Sequence, residues 1–129
     1  MTVVVPTVLA STPDEYTTMF ERAASVSQRV HIDVSDGQFT DAATISLAQV
    51  HISEKIQADL HLMLENPVDQ LETALALHPN LIIFHVESQG NIAAAMTHCR
   101  ELGTKAGVAL LPKTSVESAA KLITQADHV

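Results

Sequence analysis

A single cysteine, Cys99, leaves no partner for a disulfide within the chain, so a packed core must hold the fold, and a reducing compartment suits it. Aromatics are scarce, at 3% with no tryptophan, so Ala, Val, Ile and Leu must supply the core. That composition suits a sheet covered by helices on both sides or closed into a barrel. Basic residues are few: 7 Lys and Arg stand against 15 Asp and Glu, a net charge of −8, and they form no run. This argues against nucleic acid and against acidic membranes as partners. A phosphorylated metabolite can still bind if helix N-termini or a metal supply the local positive field. No apolar stretch approaches about 18 residues, and no basic segment precedes Val3–Val5. The expectation is a cytoplasmic protein.

What the chain has is one pattern repeated over 129 residues, with 47% hydrophobic content and a mean hydropathy of +0.18, enough for a real core. Val3–Leu9 is a β-branched apolar run. Thr12 then reads as an N-cap, Pro13 as the first helical residue and Glu15 as the far half of a capping box. Met19, Phe20, Ala23 and Ala24 form that helix's apolar face. Arg29–Val34 is the second strand, followed by turn chemistry at Ser35–Gln38 and a short helix plus loop over Thr44–Ile56. Ala58–Met63 is the third strand. Asn66-Pro67 opens a helix that buries Val68, Leu71, Ala74, Leu75 and Leu77. Leu81–Val86 is the fourth strand, Asn91–Leu102 a helix stopped by Gly103, and Lys105–Leu110 the fifth strand. Thr114 and Glu117 have capping-box spacing for a helix reaching about Gln125, and Asp127-His128-Val129 looks like the start of a sixth strand.

Strand–helix units recurring every twenty-odd residues give a parallel sheet. No linker or low-complexity segment divides the chain, so residues 1–129 are read as one domain. Two architectures fit: an open, doubly wound flavodoxin-like sheet, or an N-terminal partial (β/α)8 barrel of about five βα units. The start of a strand at Asp127-His128-Val129, with no helix to cover it, favours a barrel truncated at its sixth strand.

In such folds chemistry sits where strands end. His31 and Asp33, two apart on the second strand, point the same way. His61 on the third strand joins them if it sits at similar height. Two imidazoles and a carboxylate with open positions suit Zn²⁺, Fe²⁺, Mn²⁺ or Co²⁺. The plainer reading is two satisfied interior histidines and a turn-capping aspartate. His85 and Glu87 repeat the spacing on the fourth strand, as further polar lining or as a pair hydrogen-bonding a ligand histidine. Met63 shares a face with His61, as packing or as an apolar pocket wall. Lys113 is a solvated loop lysine or an anion contact. Cys99 has no assigned chemistry, and His51, His78, His98 and His128 lack partners at useful spacing.

Pro6-Thr7-Val8-Leu9, then His31-Ile32-Asp33-Val34-Ser35-Asp36-Gly37-Gln38-Phe39, resembles the ribulose-phosphate 3-epimerase family. So do His61-Leu62-Met63, Phe84-His85-Val86-Glu87 and Lys105–Leu110, in order and spacing across essentially the whole chain. The resemblance implies a (β/α)8 TIM barrel that interconverts D-ribulose 5-phosphate and D-xylulose 5-phosphate with a divalent metal. It implies His31, Asp33 and His61 as metal ligands, Asp33 as one of two acid/base aspartates, and Thr7 and Met63, with the two histidines, as substrate contacts. The family's fourth ligand and second aspartate lie on a seventh strand, and its phosphate grip follows strands seven and eight. This chain carries neither, so the fragment alone is expected to be inactive. Thr7 replaces the usual Ser, Ser35 a Met, Gln38 a common His, Thr40-Asp41-Ala42 a Val-Pro-Asn stretch and Lys113 a common Gly. These departures leave a related hexulose-phosphate epimerase open as well.

Two other classes compete. One is a receiver-type signalling domain, although its carboxylates would follow the first strand, where this chain has Leu9-Ala10-Ser11. The other is a metal-free sugar-phosphate-binding relative. Five open βα units leave two sheet edges, so a homo-oligomer is a further expectation.

Overall fold

The computed structural model describes residues 2–129. Five strands form one parallel sheet in the order β1-β2-β3-β4-β5: β1 (Thr7–Val8), β2 (Arg29–Ser35), β3 (Gln57–Met63), β4 (Leu81–His85) and β5 (Lys105–Ala109). A flavodoxin-like sheet reverses strand order near its middle. Here each strand pairs with its predecessor, which is how a barrel is wound. The fold is α/β and consistent with a partial TIM barrel.

Helices α1 (Pro13–Val26), α2 (Leu71–Leu75), α3 (Ile92–Glu101) and α4 (Val116–Ile123) connect the strands, with 3₁₀ turns at Leu47–Gln49 and Pro67–Gln70. Alternation along the strands divides the side chains. Val30, Ile32, Val34, Leu60, Leu62, Ile82, Phe84, Ala106 and Val108 join one buried cluster with Tyr16, Phe20, Met96 and Cys99 from the helices. His31, Asp33, Asp59, His61, Ile83 and His85 occupy the opposite, inner face. The core therefore lies between sheet and helices, and the polar chemistry lies inside the curve of the sheet.

Local chemistry explains the helix limits. Thr12 accepts from the Glu15 N–H at 3.2 Å, and the Glu15 carboxylate accepts from the Ser11 N–H at 2.7 Å, one residue before the cap. Asn91 caps α3 through the Ala94 N–H, and Gly103 takes φ +82° beyond its end. Three expectations are corrected. β1 is two residues long, because Pro6 has no N–H to continue the ladder; Val3 and Val4 are exposed. The segment 44–56 is the expected short helix plus loop, the helix being the 3₁₀ turn at Leu47–Gln49. The helix after Asn66 starts as 3₁₀ and becomes α-helical at Leu71. Ser115, rather than Thr114, caps α4, its hydroxyl accepting from the Ser118 N–H at 3.2 Å. His128 bridges to Gly107 in parallel sense, as the expected start of a sixth strand.

Candidate metal centre

The register of the sheet sets the site. Thr7 pairs with His31, and Asp33 with His61. With the alternation of side chains, this puts His31, Asp33 and His61 together on the inner face. Asp33 Oδ1 lies 3.0 Å from His31 Nε2 and 2.8 Å from His61 Nδ1. The three ligand-type atoms lie within 4.8 Å of one another. Their side chains are 17–25% exposed, so the group is framed by protein yet open to small solutes.

Burial alone would push the Asp33 carboxyl up. Hydrogen bonds from His31 and His61, and their charge when protonated, outweigh it and hold the group well below the usual carboxylate range. Asp33 is thus ionised at neutral pH and strictly an acceptor.

His61 is engaged at both nitrogens, since Nε2 lies 2.9 Å from His85 Nε2. His85 is 6% exposed, and Phe39 covers it with ring centroids 4.7 Å apart. Burial, then the charge of His61, lowers the His85 pKa against an opposing pull from Glu87. His85 Nδ1 faces Glu87 Oε2 at 3.4 Å, and both atoms are buried without a hydrogen-bond partner.

Beside Asp33 a hollow of about 340 Å³ is lined by Met63, Ser35, Thr40, Leu9 and Ser11, among others. Ser35 Oγ and Thr40 Oγ1 are 2.7 Å apart at its wall. A second hollow, about 320 Å³, carries Thr7 with His31, Arg29 and Asp59. The structure therefore gathers His31, Asp33 and His61 into one group. Met63 stands in Asp33's hollow, while Thr7 is exposed and lines a hollow with His31.

Three features went unnoticed in the sequence. Asp59 shares a face with His61, a period-two signal that was there to be read. It is 4% exposed and is held by Arg29 at 2.7 Å and by Asn80 at 2.9 Å. The Ser35–Thr40 contact depends on how the loop after β2 folds back, and no spacing encodes that. His51 packs its ring on Tyr16 and Phe20, and its carbonyl accepts from the Tyr16 hydroxyl at 2.7 Å. Lys113 is exposed. Cys99 is fully buried, with its thiol pushed up to about 11 by burial, in keeping with packing alone.

The donor set fits a divalent cation. Imidazole nitrogens and a carboxylate oxygen bind such ions at about 2.0–2.2 Å, which sets neighbouring donor atoms about 3 Å apart. The 2.8 and 3.0 Å separations around Asp33 Oδ1 approach that spacing, so small side-chain shifts would admit an ion. His31 would present Nε2, His61 Nδ1 and Asp33 its carboxylate.

Fold and site together define a partial (β/α) barrel with a His-Asp-His group at the mouth of its inner face. Residues 3–129 match the family model described as the ribulose-phosphate 3 epimerase family. The chain belongs to the ribulose-phosphate 3-epimerase family. It is 32% identical over 103 residues to a ribulose-phosphate 3-epimerase of Aquifex aeolicus, a match covering 78% of this chain and 46% of that protein. It is 31% identical over 103 residues to that of Chlamydia trachomatis, covering 78% of this chain and 44% of the relative. With that of Mycobacterium bovis it shares 29% identity over 119 residues, covering 88% and 51%. The chain spans about half the length of the curated relatives it matches.

Proposed function

We propose that this chain contributes the metal-binding and one acid/base half of an epimerase acting on D-ribulose 5-phosphate and D-xylulose 5-phosphate. The observation that carries the reading is the convergence of His31 Nε2, Asp33 Oδ1 and His61 Nδ1 beside an open hollow. Inverting a carbon next to a ketone requires removing its proton and returning one to the other face. Asp33 is suited to the first step. Oδ1 is held by two histidines, while Oδ2 has no hydrogen-bond partner among the described residues and is free to take the proton. A bound Zn²⁺, Fe²⁺, Mn²⁺ or Co²⁺ supplies positive charge that stabilises the substrate's enediolate. Met63 gives the hollow an apolar wall, and the Ser35 and Thr40 hydroxyls give it a polar one. Thr7 and the two histidines complete the proposed substrate contacts.

With a net charge of −8, the chain would hold a small anionic substrate through metal and backbone, and the proposed setting is cytoplasmic, with neither nucleic acid nor membrane as partner. No helix among the described residues is long and apolar enough to cross a membrane. A homo-oligomer through the β1 edge of the sheet is part of the same proposal, read by sedimentation.

Deuterium wash-in tests the chemistry. D-ribulose 5-phosphate is incubated in D₂O with the zinc-loaded chain and with Asp33→Asn. Exchange at C3 by the wild type that falls at least about 100-fold in the variant is expected of a lost general base. No exchange above background by the wild type, or exchange that survives the substitution, overturns the reading.

A further inference from the structure

We propose that His85 and Glu87 form a proton-tautomer switch that completes the metal centre: loading His61 with metal moves the His85 proton from Nε2 to Nδ1, where it is donated to Glu87. The inference rests on the metal-centre reading and concerns positioning residues that do not touch the metal.

The argument is a count of donors and acceptors along one line of contacts: Asp33, His61, His85, Glu87. An ionised carboxylate only accepts, and a neutral imidazole donates at one nitrogen and accepts at the other. In the metal-free chain His61 Nδ1 faces Asp33 Oδ1 at 2.8 Å, so Nδ1 carries the His61 proton. His61 Nε2 is then an acceptor. His85 Nε2, 2.9 Å away, must be the donor, which leaves His85 Nδ1 bare. Bare Nδ1 faces the Glu87 carboxylate, another acceptor. Two acceptors cannot bond, and these are the two atoms found 3.4 Å apart, buried and unpartnered. The tautomers that the other end of the line imposes leave this pair without a shared hydrogen.

Metal on His61 Nδ1 requires that nitrogen unprotonated, which places the His61 proton on Nε2. His61 Nε2 then donates to His85 Nε2. His85 carries its own proton on Nδ1, where it meets Glu87 Oε2. The two imidazoles hold two protons before and two after, so none is gained or lost. The proton count gives Nδ1 and Oε2 a shared hydrogen only in the loaded form, and a small approach from 3.4 Å would close that bond. Partners of this kind fix a ligand's ring and raise its basicity, and losing one costs about 10- to 100-fold in metal affinity. Glu87 is itself held, since its Oε1 accepts from the Leu111 N–H at 2.7 Å. The loop after β5 thus aims the end of the relay.

Long-range ¹H–¹⁵N spectra of the ¹⁵N-histidine-labelled chain read each tautomer directly, without any activity. Expected are His61 as Nδ1–H and His85 as Nε2–H without metal, with His85 changing to Nδ1–H on saturation with diamagnetic Zn²⁺. Glu87→Gln is close in shape. Its carbonyl can keep the Leu111 bond while its amide donates to His85 Nδ1, which favours the metal-free tautomer. It should therefore leave metal-free melting within a degree or two and weaken zinc at least about 10-fold by calorimetric titration. An equal zinc affinity in Glu87→Gln overturns the proposal. So does a His85 that holds Nδ1–H without metal or keeps Nε2–H with zinc bound. A wild type that binds no zinc, or binds it undiminished in His31→Ala, overturns the metal centre and the switch together. The switch alone fails when His31→Ala abolishes binding but the His85 tautomer does not respond.

Discussion

Asp59 and His61 share a face of β3, yet their surroundings separate a structural residue from a chemical one. Asp59 is buried, and its two oxygens are taken by Arg29 and Asn80. His61 stays partly open and is drawn toward Asp33 and His85. Removing one partner of a buried ion pair strands the other. Asp59→Ala should therefore cost about 3 kcal/mol in urea unfolding, with Arg29 half-exposed and able to recover some hydration. A loss under about 0.5 kcal/mol would mean that the pair contributes nothing net, as at the surface. The candidate metal triad was legible in the sequence because period two is a local rule and His31, Asp33 and His61 fall near the ends of successive strands. The partners of Asp59 and His85 were not, since they come from strands and loops distant in sequence and depend on register.

At the level of elements, the turn after β2 is tied by Asp36. Its carboxylate accepts from the N–H groups of Gln38 and Phe39 at 2.8 and 2.9 Å, and from Glu65 beyond β3 at 2.7 Å. Gly37 takes φ +71° to make the turn. The result carries Phe39 over His85, so a turn that the sequence marked only as Asp-Gly becomes part of the site's cover. Burial pulls the Asp36 carboxyl up, but the backbone N–H bonds outweigh it and keep it below its ordinary value. A carboxyl depressed in the folded state adds stability that is complete above its unfolded pKa, about 3.9, and is lost as pH falls through the folded value. The wild type should lose melting temperature from about pH 5 downward more steeply than Asp36→Asn. Parallel slopes would show that the charge on Asp36 is immaterial. Strand and helix positions were readable to within a residue or two at most places, because caps and periodicity are local. β1 falls short of the expected strand because Pro6 has no N–H to extend the ladder, and α4 starts one residue later than expected because the Ser115 hydroxyl, not that of Thr114, accepts from the helix's free N–H.

For the whole molecule, sequential strand order places β1, β2 and β3 side by side and so gathers the ligand-bearing residues on one inner face. A βα period alone could not distinguish that order from a doubly wound one; the order had to come from the strand pairing. The inner face also bears on stereochemistry. Among the described residues, Asp33 is the one carboxylate in the converging group. A single base can take a proton from one face of a sugar and return one only to that face. Inversion needs a second acid on the other side. The 129-residue chain, loaded with zinc, should therefore exchange the C3 hydrogen of D-ribulose 5-phosphate with D₂O and return the same sugar. NMR shows the exchange, and a coupled assay specific for D-xylulose 5-phosphate should stay at background. Formation of xylulose 5-phosphate at the rate of exchange would mean that another group of this chain, or water ordered by it, reaches the opposite face. Asp33 would then be only half of the acid/base pair present.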